Sequence, residues 1–317
     1  MKVVFLGTPE SALPSLDAIL AAGHHVPLVV TQPDRPVGRS KTPVAPAVKV
    51  AALARGLPVT QPEKVRSPEF LNQIAAAGAD VLVVVAFGRL LVRSVFSAAP
   101  RGAVNLHFSL LPAYRGAAPV QWALARGERE TGVTTFRLDE GLDTGELLAQ
   151  RRVAIVEDER APELLARLAR EGAGLLVETL AGIEAGTITP RPQDGASATS
   201  APILTREDGF WSPAWTAAML EGRVRGFDPW PGVWALLNDQ RLRIAAARAV
   251  TSATTESAPG TLLPSPDECV RLACASGTVA ALSKVQRAGG KEMTAREAQN
   301  GRLLSVGDRL GPPVPSA

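Results

Sequence analysis

Cysteine is almost absent from this chain: there are two in 317 residues, Cys269 and Cys274, both near the C-terminus. With no second pair and no histidine nearby in sequence, they form neither a disulfide framework nor a zinc pattern, and are expected as buried thiols in a reducing compartment. Histidine is nearly as scarce, with only His24, His25 and His107. No apolar run reaches the ~18 residues that a membrane helix needs. The opening MKVVFLGTPE runs into Gly-Thr-Pro without the apolar core and cleavage site of a signal peptide, so it is predicted as a first strand. No internal repeat with a period of roughly 20 to 50 residues is present, and no low-complexity block. A P-loop and a nucleophile elbow are missing too, and FLGTPE holds only one glycine of a dinucleotide fingerprint. These absences argue against nucleoside triphosphate, nicotinamide and covalent serine or cysteine chemistry. The expectation is a soluble, cytoplasmic protein with no membrane partner and no metal.

What is present is an ordinary globular composition, 46% apolar and 21% charged, in a chain long enough for two domains. The apolar runs KVVFLG, VPLVVTQ, DVLVVVAF and AVNLHF alternate with helix-like stretches. Runs without polar alternation mark strands covered on both faces, the pattern of a parallel sheet. Residues 1–189 are therefore read as an α/β, doubly wound, mostly parallel domain, in which ligands bind beyond the carboxyl ends of the strands. Residues 190–207, rich in Pro, Ser, Thr, Ala and Gly, read as a linker. In 208–311 a helix is predicted around SPAWTAAMLEGRVRGF. The short runs that follow, near GVWALLN, RLRIAAARAV, GTLL, CVRLACA and VAALSKVQ, predict a small OB-like β-barrel. The net charge is only +3, yet between Thr31 and Arg66 seven Arg and Lys residues meet only Asp34 and Glu63. Such a cluster suits phosphates.

Of the histidines, His24 and His25 follow a glycine at a predicted helix end, where a cation suits the carboxyl terminus of the helix. His107 instead closes an apolar strand at the edge where ligands bind, and strand alternation puts Asn105 and His107 on one face. An amide N–H and an imidazole N–H directed at one spot can hold a developing oxyanion, a large term in acyl transfer. The imidazole then needs an acid to orient and charge it. RLDEGLDTGELL offers Asp139, Glu140 and Asp143, and spacing alone does not choose among them. Ser109 reads as a turn former rather than a nucleophile.

FLGTPE, TQPDRPVGR, AVNLHFSLLPAYRGAAPVQWAL and GLDTGELL, in that order, resemble the methionyl-tRNA formyltransferases, and the later FDPWPGVW and PGTLL resemble the C-terminal domain of that family. The Asn-x-His and Leu-Asp-Thr-Gly pieces are shared with other formyltetrahydrofolate-dependent transferases, so TQPDRPVGR and the second domain decide the resemblance. It implies transfer of a formyl group from 10-formyltetrahydrofolate, as co-substrate, to the free α-amino group of methionyl initiator tRNA, by a monomer. On the matched positions Asn105 and protonated His107 would hold the oxyanion, and Asp143 would hold and charge His107, whose pKa it would raise. Ser109, Leu110, Leu111 and Pro112 would border the folate through their backbone, with Phe87 to Leu90 lining the pterin pocket. Arg35, Arg39 and Lys41 would contact the tRNA acceptor stem, and Arg223, Arg225, Arg241, Arg243 and Arg248 would extend a positive surface across the barrel. The sequence departs from the family pattern at Phe108, where a small glycine is usual, and at Phe87, where tyrosine is common.

Overall fold

The computed structural model describes residues 1–36, 38 and 42–312. Two compact units emerge: residues 1–119, 130–154 and 165–202 form the first, and 120–129, 155–164 and the chain from Ile203 onward form the second. Each is built around its own sheet.

The first unit holds a seven-stranded sheet. Its strands in chain order are β1 (Lys2–Gly7), β2 (His25–Val30), β5 (Val59–Thr60), β6 (Val81–Val85), β7 (Ala103–His107), β8 (Glu130–Arg137) and β9 (Leu147–Ala154). A separate two-stranded ribbon pairs β3 (Arg35–Pro36) with β4 (Pro43–Val44). The sheet order is β5-β2-β1-β6-β7-β8-β9. The first five strands of that order run parallel, and β8 and β9 close the edge antiparallel. The order reverses at β1, the switch point at which doubly wound sheets open a crevice. Valine and leucine dominate β1 and β6, and all five residues of β6 are buried. That is what a strand needs when helices cover both faces. The helices of this unit are α1 (Leu13–Ala21), α2 (Ala47–Ala54), α3 (Pro68–Ala76), the single turn α4 (Arg93–Phe96) and, from Leu165 onward, the 25-residue α6 (Ala161–Ala185), whereas α5 (Pro119–Ala125) falls with the second unit from Val120.

Helix α6 lies directly on the strand that ends in His107. A Cβ added at Gly172 would stand 2.8 Å from Leu106 Cδ2, and Leu106 is 2% exposed. Leu106 points away from the face of Asn105 and His107, so this contact seats the strand from behind.

In the second unit α7 (Ala217–Gly226) precedes β10 (Val233–Leu237), β11 (Gln240–Thr254), β12 (Leu262–Leu263), β13 (Val270–Ala273), β14 (Thr278–Arg287) and β15 (Glu292–Thr294), and α8 (Ala295–Asn300) closes it. The sheet is antiparallel, six-stranded and barrel-like, in the order β10-β11-β14-β13-β12 with β15 beside β14. Register shifts near Ile244 and Ala249 bend the long β11. Residues 120–129 join this unit because Gly222 and Gly226 of α7 let the backbone of α5 approach: a Cβ at either would lie 2.5 Å from a carbonyl of Leu124 or Gln121.

The composition-based linker at 190–207 divides. Up to Pro202 it folds with the first unit, where Arg191 bridges Leu147 and Ser200 bridges Arg115. From Ile203 it folds with the second.

Replacing Gly172 by valine is expected to push Leu106 aside and lower stability by about 1–3 kcal/mol. Chemical denaturation checks this, and an unchanged midpoint would contradict the close seating of α6 on β7.

Candidate active site

Strand β7 pairs with β6 through Asn105 and Val84, and with β8 through Asn105 and Phe136 and through His107 and Thr134. Asn105 and His107 therefore sit on one face at the carboxyl edge of the parallel strands. The Asn105 side chain is half-buried and makes no hydrogen bond to a described residue. Its amide is free for a ligand.

His107 is buried, at 7% exposure, and both ring nitrogens are directed at protein groups. Nε2 lies 2.8 Å from the backbone oxygen of Tyr114. A carbonyl only accepts, so Nε2 carries a proton. Nδ1 faces Asp143 Oδ2 at 3.7 Å, beyond direct hydrogen bonding and within reach of one bridging water. The Phe136 ring meets the imidazole in a T-shaped contact, with centroids 6.5 Å apart and planes at 85°. Strand alternation predicts an imidazole N–H aimed at a ligand. In the structure the Nε2 proton is committed to Tyr114, and Nδ1 is the nitrogen left for chemistry.

The three acids of RLDEGLDTGELL separate cleanly. Asp139 accepts from Gly141 N at 3.0 Å and from Thr144 Oγ1 at 2.7 Å, capping its own loop. Glu140 is exposed and pairs with Arg93 at 2.9 Å, each holding the other in its charged form. Asp143 alone faces His107, and its Oδ2 accepts from Gly116 N at 2.8 Å. Two glycines make this possible. At Gly116, with φ +124°, a Cβ would lie 2.5 Å from Ala201 O; at Gly145 it would lie 1.8 Å from Arg137 O. Tyr114 and Asp143 themselves take left-handed φ values of 61° and 55°, a conformation that non-glycine residues keep only where their surroundings enforce it.

Ser109 to Pro112 form a turn whose carbonyls are already engaged. Ser109 O accepts from Thr134 Oγ1, Leu110 O from Ala113 N, Leu111 O from Gln150 Nε2 and Pro112 O from Thr199 N. The Ser109 hydroxyl donates to Ala113 O at 2.6 Å, as a turn former does. Thr134 also accepts from Leu111 N. Thr134 and Gln150 are thus what the sequence patterns do not reveal: polar residues inside β8 and β9 that shape this turn. Phe108 is buried at 7% exposure, and alternation turns it away from His107, so the core takes its bulk. Phe87 is likewise core at 2% exposure, and its carbonyl accepts from Thr8 and Gln32. Leu90, three residues on, is 73% exposed.

Of the expected RNA contacts, Arg35 is exposed on the β3–β4 ribbon; Arg39 and Lys41 lie outside the described residues. Asp34, at the foot of the ribbon, accepts from Lys49 Nζ at 2.7 Å and from Gln61 Nε2 at 2.8 Å. Most arginines expected on the barrel surface are occupied. Arg223 stacks 4.4 Å over Trp215, and burial lowers its pKa. Arg225 donates to Glu159 O, Arg243 pairs with Asp228 at 2.7 Å and Arg248 pairs with Asp158. Arg241 is exposed and makes no ion pair among the described residues; with Gln240 and Arg287 it borders an open cavity of about 420 Å³.

Residues 1–180 match the formyl transferase family and residues 203–303 match the formyl transferase C-terminal domain. That defines the class. The methionyl-tRNA formyltransferase of Solibacter usitatus (strain Ellin6076) is 48% identical over 98% of this chain and 99% of its own length. That of Acidobacterium capsulatum is 47% identical over 98% of this chain and all of its own. The chain belongs to the methionyl-tRNA formyltransferase family. A solved N-formyltransferase from Helicobacter canadensis, complexed with folinic acid and dTDP-3-aminofucose, shares the fold with a TM-score of 0.65 at 17% identity, covering 89% of this chain and 98% of that one.

Hydrogen bonds from Lys49 and Gln61 hold the Asp34 carboxyl below its ordinary value of 3.8. Its anchoring of the ribbon is therefore in place above that value and lost as pH falls through the depressed pKa. Lys49→Ala is expected to move the Asp34 titration up toward the ordinary value, read by carboxyl NMR. An unmoved midpoint would contradict the anchoring.

Proposed function

We propose that the protein transfers the formyl group of 10-formyltetrahydrofolate to the α-amino group of methionyl initiator tRNA, yielding N-formylmethionyl-tRNA for translation initiation. The observation that carries the reaction is the convergence of a free amide, a tautomer-fixed imidazole and a carboxylate at the carboxyl edge of the sheet. The substrate assignment is supported by near full-length similarity to methionyl-tRNA formyltransferases.

The site's residues fit a folate carrying an acyl group. Leu90 and Leu142 are exposed, at 73% and 55%, close in sequence to Arg93 and Glu140, which pair with each other, and offer apolar surface to a heterocycle. The 109–112 turn borders the donor through a backbone already held rigid. The donor supplies a formyl carbon at the acyl level of oxidation. Asn105 donates its amide N–H to the formyl oxygen as negative charge develops there. His107, anchored at Nε2, directs an Nδ1–H of its imidazolium to the same oxygen, and the Asp143 carboxylate stabilises that cation. As the amine attacks and the bond from carbon to the donor nitrogen breaks, Asp143 relays the amine proton through water to the departing nitrogen. The chemistry is direct transfer, with no covalent enzyme intermediate.

Arg35, Arg39 and Lys41 are assigned to the tRNA acceptor end, with Arg241 a further phosphate contact on an OB-like second unit. Phosphate contacts make binding salt-dependent and position the RNA without reading its sequence. The enzyme is assigned to the cytoplasm, where charged tRNA is used, and acts as a monomer.

Incubation with 10-formyltetrahydrofolate and methionylated initiator or elongator tRNA is expected to formylate the initiator. Formylation of neither would overturn the reading. Asn105→Ala and Asp143→Asn are each expected to lower kcat by roughly 10²–10³. An Asp143→Asn enzyme whose rate follows pH as the wild type does would contradict the role of the carboxylate.

A further inference from the structure

Residues 191–201 lie as a strap across both loops that face His107. On the Tyr114 side, Tyr114 N donates to Thr199 Oγ1 at 2.8 Å, Arg115 N to Thr199 O at 2.8 Å and Ala201 N to Arg115 O at 2.7 Å. These bonds hold the left-handed Tyr114, whose carbonyl receives the Nε2 proton of His107. On the other side a single side chain makes the tie. Gln193 Nε2 donates to the carbonyl of Asp143 at 2.9 Å and to that of Gly145 at 2.7 Å. Its Oε1 accepts from Arg115 Nε at 3.1 Å and from Nη2 at 2.7 Å. A primary amide has two N–H donors and an oxygen with two lone pairs, and here every one is used.

That saturation points to geometry rather than to solvent contact. Asp143 takes a left-handed backbone with φ 55°, and its carboxylate must still reach both Gly116 N and the side of Nδ1. Nothing in the Gly-Leu-Asp-Thr-Gly sequence alone selects that conformation. Gln193 grips the carbonyls on either side of Thr144, and Arg115, next to Gly116 in the chain, grips Gln193.

We propose that Gln193 is a positioning residue for formyl transfer: its two N–H donors fix the backbone of Asp143, and through it the spacing of the carboxylate from His107 Nδ1. This rests on the formyl-transfer reading of the same site. Neither Gln193 nor Arg115 need touch a substrate for the effect to operate, because a shift of a catalytic group by a fraction of its hydrogen-bond length is enough to slow chemistry.

Two variants test it. Gln193→Ala removes the whole clamp. Gln193→Glu keeps an oxygen for Arg115 but sets an acceptor against the two carbonyls, so it preserves the tie to Arg115 and abolishes the donors. Both are expected to lower kcat roughly 10- to 100-fold, with KM for 10-formyltetrahydrofolate and for methionyl-tRNA within about twofold of wild type. Both should also move the imidazole Cε1–H resonance of His107 while those of His24 and His25, the only other histidines, stay in place. The resonance needs no turnover, so a protein that proved inactive on methionyl-tRNA would still answer the question of positioning. Wild-type kcat in Gln193→Glu, a loss confined to KM for tRNA, or an unmoved His107 resonance would each overturn the proposal. If Gln193→Ala fails to fold, the glutamate variant decides.

Discussion

A carbonyl oxygen has no proton to give, so the 2.8 Å contact between His107 Nε2 and Tyr114 O fixes which nitrogen of the ring carries hydrogen. Much of the first unit serves that contact. Helix α6 seats β7 from behind through Gly172 and Leu106, Phe136 makes a T-shaped contact with the imidazole, and the strap at 191–201 holds Tyr114 and Asp143. The nitrogen that faces Asp143 is Nδ1. Left-handed residues at Tyr114 and Asp143 lie on either side of the imidazole, a conformation that only their surroundings enforce.

Charge in the second unit is engaged mainly in its own architecture. Asp228 receives both Arg160 and Arg243, Arg223 lies on Trp215, and Arg248 meets Asp158. A count of arginines therefore overstates the positive surface open to RNA. Arg241, beside Arg287 at the ends of β11 and β14, is the cation of that set left facing outward. The ribbon around Arg35 keeps its exposed position while its foot is tied by Asp34, Lys49 and Gln61.

The buried strands β1, β2, β6 and β7 are legible in the sequence because a short, continuous apolar run between turn residues suits a strand covered on both faces. Asn105 and His107 follow from their two-residue spacing on such a strand. Strands β8 and β9 escape that criterion. Thr131, Thr134 and Thr135 interrupt the first and Gln150, Arg151 and Arg152 the second, although Thr134 and Gln150 shape the turn at the site. The choice of Asp143 over Asp139 and Glu140 rests on contacts between residues far apart in sequence, which composition does not encode. The same holds for the 190–202 segment. Its Pro, Ser and Gly content reads as a linker, yet Gln193 and Thr199 make it a brace for the loops of Tyr114 and Asp143 that face His107. The short helix α8 with its Thr294–Glu297 capping box lies beyond the last apolar run and has no periodic face to announce it.

Nε2 of His107 is protonated and committed to Tyr114, which leaves Nδ1 facing Asp143. Neutron diffraction from a deuterium-exchanged crystal of the free protein would locate that proton. Nuclear density for deuterium is expected on Nε2, on the line to Tyr114 O. A bare Nε2, with the ring deuterium on Nδ1 alone, would contradict it.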